Sequence, residues 1–254
     1  MRVAAIYDIH GNEPALEAAL SEIQKERPDL IVVGGDIVSG PLPRATLERL
    51  WQLGDRMRAL RGNADREVVA AFDGVPFGEQ QPPEVRAATQ WTARQLDSSH
   101  RDFLANLPPQ LTIPIDGLGE VLFCHATPRN DEELFTHSSP EERLRLFFAG
   151  VQQQIVICGH THIQFERFLD ALRIVNAGSV GMPYADQPGA YWLLLGPDIT
   201  FKHTSYDLAE AAARISASGY PGVQEFVEEN VLKIPSAAEA TEFFEQLAAK
   251  QELR

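Results

Sequence analysis

The chain has 254 residues, of which 44% are hydrophobic and 23% charged, with a formal net charge of −14. That length builds one large domain with a full core, or two small ones. The acidic balance repels polyanions and argues against non-specific nucleic-acid binding. No apolar run reaches the length of a membrane span.

Taken in chain order, the first half reads as β-α-β. RVAAIY (2–7) is a short apolar run that meets an acidic residue at position 8. That is too early for a secretory leader, so a cytoplasmic location is expected. Asn12 is placed to cap a helix running to about residue 26, with Leu16, Ala19, Leu20 and Ile23 on one face and Pro28 ending it. LIVV (30–33) is a second buried-type strand, a helix follows around 44–54, and RMRALRG (56–62) reads as strand into turn. Residues 65–110 begin polar and Pro-rich and then take helical spacing. They are expected to form a helical insertion over one edge of a site, within a single domain spanning 1–254.

The second half is rich in strands: LTIPI, EVLFCHA, QIVICGHTH, QFERFL, ALRIVN, GAYWLLL and ITFKHTSY. Turn residues between them, Asp170–Ala171 and Gly196-Pro197-Asp198, predict antiparallel hairpins. Two sheets face to face with helices outside would bury both sets of strands. Cys124 and Cys158 each end an apolar run and read as small buried thiols without a disulfide. A helical tail at about 235–254 opens on the capping box Ser236/Glu239. Its stripe of Ala240, Phe243, Phe244 and Leu247 is expected to dock on its own domain rather than on a second copy, which leaves monomer and homodimer both open.

Apolar runs repeatedly end in a residue able to bind a metal. RVAAIY leads to Asp8 and His10, LIVVGG to Asp36, MRALRG to Asn63, VLFC to His125 and IVICG to His160 and His162. Ligands of α/β sheets bind beyond the carboxyl ends of strands, so these side chains would meet at one edge. Four of the seven histidines occupy such positions, while His100, His137 and His203 read as ordinary structural residues. His160 and His162 would point the same way if the chain is extended between them. If it turns, they reach different ions. Carboxylate and amide oxygens mixed with imidazoles, without thiolate, suit Mn²⁺, Fe²⁺, Zn²⁺, Co²⁺ or Ni²⁺. Seven ligands are too many for one tetrahedral zinc and suit two divalent ions sharing one carboxylate, with Asp36 the natural bridge.

The ordered motifs DIHGN (8–12), GGDIVSG (34–40), RGNAD (61–65), CHATP (124–128) and GHTH (159–162) resemble those of the calcineurin-like metallophosphoesterases. NAGSVGMP (176–183) resembles a segment of the small prokaryotic phosphodiesterase-like branch. The resemblance implies a four-layer αββα sandwich, two mixed β-sheets between helices. It assigns Asp8, His10, Asp36 and His162 to one metal and Asp36, Asn63, His125 and His160 to the other, with Asp36, Asn63 and His125 also counted as catalytic. It implies hydrolysis of a small phosphorylated substrate by a hydroxide bridging the metals, a phosphodiester rather than a monoester. Many relatives carry a histidine where this chain has Ala64. Its loss would slow expulsion of poor leaving groups by about 10²–10⁴-fold. His137 and Tyr184 are candidate replacements, Asp65 would order the turn, and Arg129 or Asn63 would contact substrate. The alternatives are a binding or scaffold protein of the same fold with weak chemistry, and a phosphoprotein phosphatase or nucleotidase using the same metals.

Overall fold

A computed structural model describes residues 1–78 and 81–252. The first sheet contains β1 (Val3–Ile6), β2 (Leu30–Val33), β3 (Met57–Ala59), β9 (Ala190–Leu195) and β10 (Ile199–Thr204), in the order β10-β9-β1-β2-β3. The second contains β4 (Gln110–Ile115), β5 (Gly119–Cys124), β6 (Ile155–Cys158), β7 (Gln164–Leu169) and β8 (Leu172–Ala177), in the order β4-β5-β6-β8-β7. Both sheets are mixed. β1, β2 and β3 run parallel, as do β5, β6 and β8, and antiparallel strands close the edges.

Alternation along the strands makes the layers. Val3, Ala5 and Tyr7 face the second sheet and meet Phe123, Ile157 and Val175, while Ala4 and Ile6 face outward onto helices. The outer helices of the first sheet are α1 (Glu13–Glu26) and α2 (Pro43–Trp51). The second sheet is covered by α6 (Glu141–Phe147) and α9 (Ala237–Glu252), which bring Leu144 and Ala240 against Leu122, Val156 and Ile174. Helix, sheet, sheet, helix is the four-layer sandwich expected. Truncating a fully buried residue such as Ile6 to alanine would cost about 2–5 kcal/mol. Both cysteines are buried and free.

Local signals behave as chemistry requires. Asn12 accepts a bond from the Ala15 amide at 3.2 Å and caps α1, whose buried face is Leu16, Ala19, Leu20 and Ile23. Ser236 and Glu239 exchange backbone and side-chain bonds at the start of α9. Residues 63–105 form α3 (Asn63–Phe72), α4 (Pro83–Gln95) and α5 (Ser98–Ala105), and Val68, Ala93, Leu96 and Leu104 join the α1/α2 core.

The second half departs from a simple meander. Hairpins do join β4 to β5, β7 to β8 and β9 to β10. Yet β6 lies parallel to β5, because α6 intervenes and carries the chain back across the sheet. β9 then leaves the second sheet altogether and pairs with β1. A further helical cluster, α7 (Leu208–Ser216) and α8 (Val223–Val227), was not foreseen. It packs Ile215, Phe226 and Val231 against Leu42 and Met182. Among the described residues no helix is long and apolar enough to cross a membrane.

Candidate metal centre

The loops after β1, β2, β5 and β6 meet at one end of the two sheets. They are held by bonds that continue the strand ladders: the Gly34 amide donates to the Ile6 carbonyl at 2.8 Å, the His10 amide to the Asp36 carbonyl at 2.9 Å, and the Gly159 amide to the His125 carbonyl at 2.8 Å. The backbone there is unusual. Among the described residues seven non-glycine residues have positive φ, and five of them are Asp8, His10, Asp36, His160 and His162. Gly62 packs so tightly that a Cβ on it would lie 2.1 Å from Asp36 Oδ1, so nothing larger fits beside that carboxylate.

The fold brings six of the seven expected residues together in two groups, with Asn63 bordering the second. Asp8, His10 and His162 form one, and Asp36, His125 and His160 the other. His160 and His162 fall in different groups because the chain turns through left-handed conformations at both. Asp36 Oδ2 lies between the groups, 3.4 Å from His125 Nε2 and 3.7 Å from His10 Nε2. Asn63, at the first turn of α3, places Oδ1 3.1 Å from His125 Nε2 and 3.1 Å from His160 Nδ1.

Backbone carbonyls fix the histidine tautomers. His10 Nδ1 bonds the Ser39 carbonyl at 3.0 Å, His125 Nδ1 that of Gly34 at 2.9 Å, and His162 Nδ1 that of Met182 at 2.8 Å. Each Nδ1 therefore donates, and each Nε2 faces the site, a ligating lone pair whenever the ring is neutral. The carboxylates are held as well. Asp8 Oδ2 accepts from the His160 amide at 2.9 Å, and Asp36 Oδ1 from the Ala64 amide at 2.8 Å.

Three features fit a divalent cation in each group. Among the described residues Asp8 Oδ1 is buried without a hydrogen-bond partner, a costly state for a carboxylate oxygen, with His162 Nε2 at 3.5 Å the nearer of two imidazoles. The bare Nε2 atoms of His10 and His162 face each other at 3.2 Å. The side-chain amide of Asn63 ends 3.1 Å from both His125 Nε2 and His160 Nδ1, close enough to share a cation with them. Two carboxylates, an amide and four imidazoles make a borderline-to-hard donor set without thiolate.

The electrostatics state the same demand. Burial pushes Asp36 upward, but the imidazoles of His125, His10 and His160 outweigh it and hold it well below the usual carboxylate range. Burial lowers His125, but Asp36 and Asp8 overcome it and push it up to about 10. A proton on His125 there answers the buried carboxylates as a metal cation would. Burial, with His125 close by, depresses His160 to about 4. Asp65 accepts from the amides of Ile37 at 2.8 Å and Gly62 at 3.1 Å, so it orders the turn under Asp36.

The other candidates separate. A cavity of about 310 Å³ beside His125 is lined by Arg61, Arg66, Thr127, Arg129 and Asp131. Arg129 is on its wall, but its guanidinium already bonds Glu133 at 3.2 Å and the Leu146 carbonyl at 3.2 Å. Arg66 is likewise paired with Asp131. Arg61 has its Nε buried with no partner, and sequence reasoning passed over it although it opens the RGNAD motif. His137 lies beside Phe165 and α9, away from the centre. Tyr184 stacks on His162 at 5.4 Å. NAGSVGMP proves to be the scaffold of the site. Asn176 Nδ2 donates to the Gly159 carbonyl at 2.7 Å, and the Ser179 hydroxyl donates to the Asp8 carbonyl at 2.6 Å.

Two sheets closed by helices, with paired His/carboxylate groups at their common edge, define an α/β protein built to bind divalent metal. The chain belongs to the calcineurin-like phosphoesterase superfamily, whose family model matches residues 1–195. It is similar to a metallophosphoesterase structure from Sphaerobacter thermophilus, with TM-score 0.72 and 29% identity, covering 92% of this chain and 98% of that one. It is 27% identical over 238 residues to an uncharacterized protein of Methanocaldococcus jannaschii, covering 86% of this chain and 93% of the relative. A shorter match, 33% identity over 112 residues and 40% of each chain, is to a symmetrical bis(5′-nucleosyl)-tetraphosphatase of Paracidovorax citrulli.

Proposed function

We propose that the protein hydrolyses phosphate esters, phosphodiesters in preference to monoesters, using two divalent ions. The observation that carries this reading is Asp36, whose Oδ2 lies within 3.7 Å of a histidine from each ligand group. Asp8, His10 and His162 would hold one ion, Asn63, His125 and His160 the other, and Asp36 both. When bound, such a pair lowers the pKa of water and neutralises the oxygens of the ester.

The chain's own residues do the rest. Carbonyls of Ser39, Gly34 and Met182 keep three histidines in the ligating tautomer. The Ala64 and His160 amides orient the carboxylates. Arg61, whose Nε is buried without a partner among the described residues, also lines the neighbouring cavity, where its guanidinium would receive an anionic substrate oxygen. Ala64 has no side chain to pass a proton to the leaving oxygen, which supports substrates whose leaving group departs unprotonated. The net charge of −14 supports a small phosphorylated substrate over nucleic acid, in a cytoplasmic monomer or homodimer. A nucleotidase-type reading, hydrolysis of a nucleoside polyphosphate, draws support from the partial likeness to the tetraphosphatase and from that cavity.

The test is hydrolysis of an aryl phosphodiester, the matching monoester and a dinucleoside polyphosphate by metal-stripped protein with Mn²⁺ restored. Metal-dependent turnover that disappears in Asp36→Asn and His125→Ala is expected. Tight metal binding without turnover on any substrate would leave a scaffold role instead.

A further inference from the structure

The residues beyond the family match reach back to one metal ligand. Tyr184 lies flat on His162, with ring centroids 5.4 Å apart and planes at 20°. The Tyr184 amide also donates to the His162 carbonyl at 3.2 Å. On its other side the Tyr184 ring meets Phe244 of α9 at 5.9 Å. The adjoining Ala185 amide donates to the Pro235 carbonyl at 3.1 Å, just before the helix begins.

The helix itself is anchored. Glu245 accepts from Thr136 Oγ1 at 2.6 Å, from Arg143 Nη1 at 2.8 Å and from the Ser139 hydroxyl, and Ala240 and Ala248 are buried. So the ring of His162 is wedged between the Asp8/His10 group and a strut made of Tyr184 and Phe244. Among the described residues no aromatic ring from outside the ligand set stacks on His125 or His160. His125 packs against His160 and bonds the Gly34 carbonyl.

We propose that Tyr184 and Phe244 are positioning residues through which the C-terminal helix sets metal affinity at Asp8/His10/His162 and leaves Asp36/Asn63/His125/His160 unaffected. The physical basis is rotamer entropy. A histidine on a left-handed loop residue ligates well only if its ring is already held at the ligating angle. The carbonyl of Met182 fixes one ring edge, and the Tyr184 face fixes rotation about it.

The inference rests on the two-ion reading, and the test separates them. Metal-stripped full chain is titrated with Mn²⁺ by calorimetry in two backgrounds: His125→Ala, which leaves the Asp8 group to bind, and His162→Ala, which leaves the Asp36 group. Phe244→Ala or Tyr184→Ala is expected to weaken Mn²⁺ binding about 10-fold or more in the first background, as loss of a ligand's outer support does, and to change nothing in the second. Tyr184→Phe should retain the stack and the affinity. Leu247→Ala, an exposed leucine on the same helix, should be neutral. Equal weakening in both backgrounds, or none in either, overturns the strut. Failure of the unsubstituted protein to bind a second ion would overturn the two-ion reading first.

Discussion

His10 and His162 point their Nε2 atoms at each other across 3.2 Å, and each has its opposite nitrogen committed to a backbone carbonyl. Neither ring can turn its lone pair away without abandoning that bond, so the pair repels until a cation lies between them. Removing metal should therefore destabilise the protein. Calorimetric unfolding of chelator-treated protein, with and without Mn²⁺ at 100 times its Kd, should differ by about 2.7 kcal/mol per site. An unchanged Tm on adding metal would mean that these rings are not ligands.

Ala64 stands at the start of α3, its amide on Asp36 Oδ1. Installing a proton donor by Ala64→His should raise turnover of esters with alkyl leaving groups by up to about 10²-fold. Aryl esters, which need no protonation, should change little. The measurement is the slope of log kcat against leaving-group pKa, which should flatten in the variant.

Arg61 should act on substrate affinity. Arg61→Ala should lower kcat/KM by about 10–100-fold, the loss of one charge-assisted hydrogen bond. Arg61→Lys should recover only part of it, because an ammonium keeps the charge and loses the planar fork. Steady-state kinetics on the preferred ester give the answer, and an unchanged KM in Arg61→Ala would place the substrate elsewhere.

Glu245 ties α9 to the body of the protein and brings a pH dependence. Burial raises its pKa, but bonds from Ser139, Thr136 and Arg143 outweigh it and leave the folded value below the ordinary glutamate value of 4.5. A depressed carboxylate contributes stability that is complete above the unfolded pKa and is lost as pH falls through the folded one. The helix should loosen as the pH falls below the ordinary glutamate range and through the lowered folded value, read as rising amide exchange in 237–250. Glu245→Gln should remove that acid limb.

How far the sequence carried the reading varied with the range of the interaction. The Asn12 cap and the Ser236/Glu239 box were legible because both partners sit within three residues. The gathering of the metal-binding side chains at one edge was legible because they follow runs that read as buried strands. The division of His160 from His162 was legible only through the family resemblance: strand geometry left it open, because it turns on two positive φ angles that no residue type there announces. Arg129 stands shortly after His125, but its guanidinium is taken up by Glu133 and by the Leu146 carbonyl, the latter 17 residues along the chain. Arg61 escaped notice because its significance is an absence, a donor without an acceptor, which only packing reveals. The parallel placement of β6 escaped for a similar reason: α6 is a single short helix of seven residues, with no signal that it carries the chain across.

Asp8, His10, Asp36, His160 and His162 all sit where an L-residue is about 1–2 kcal/mol worse off than glycine. Summed, that is a sizeable share of the net stability of an ordinary domain. Glycine at any one of them would relax the loop while deleting a ligand. A chain optimised for thermal robustness alone would thus become an inert sandwich with its layers intact, and five strained side chains at one edge are a stability cost that only their use there would offset.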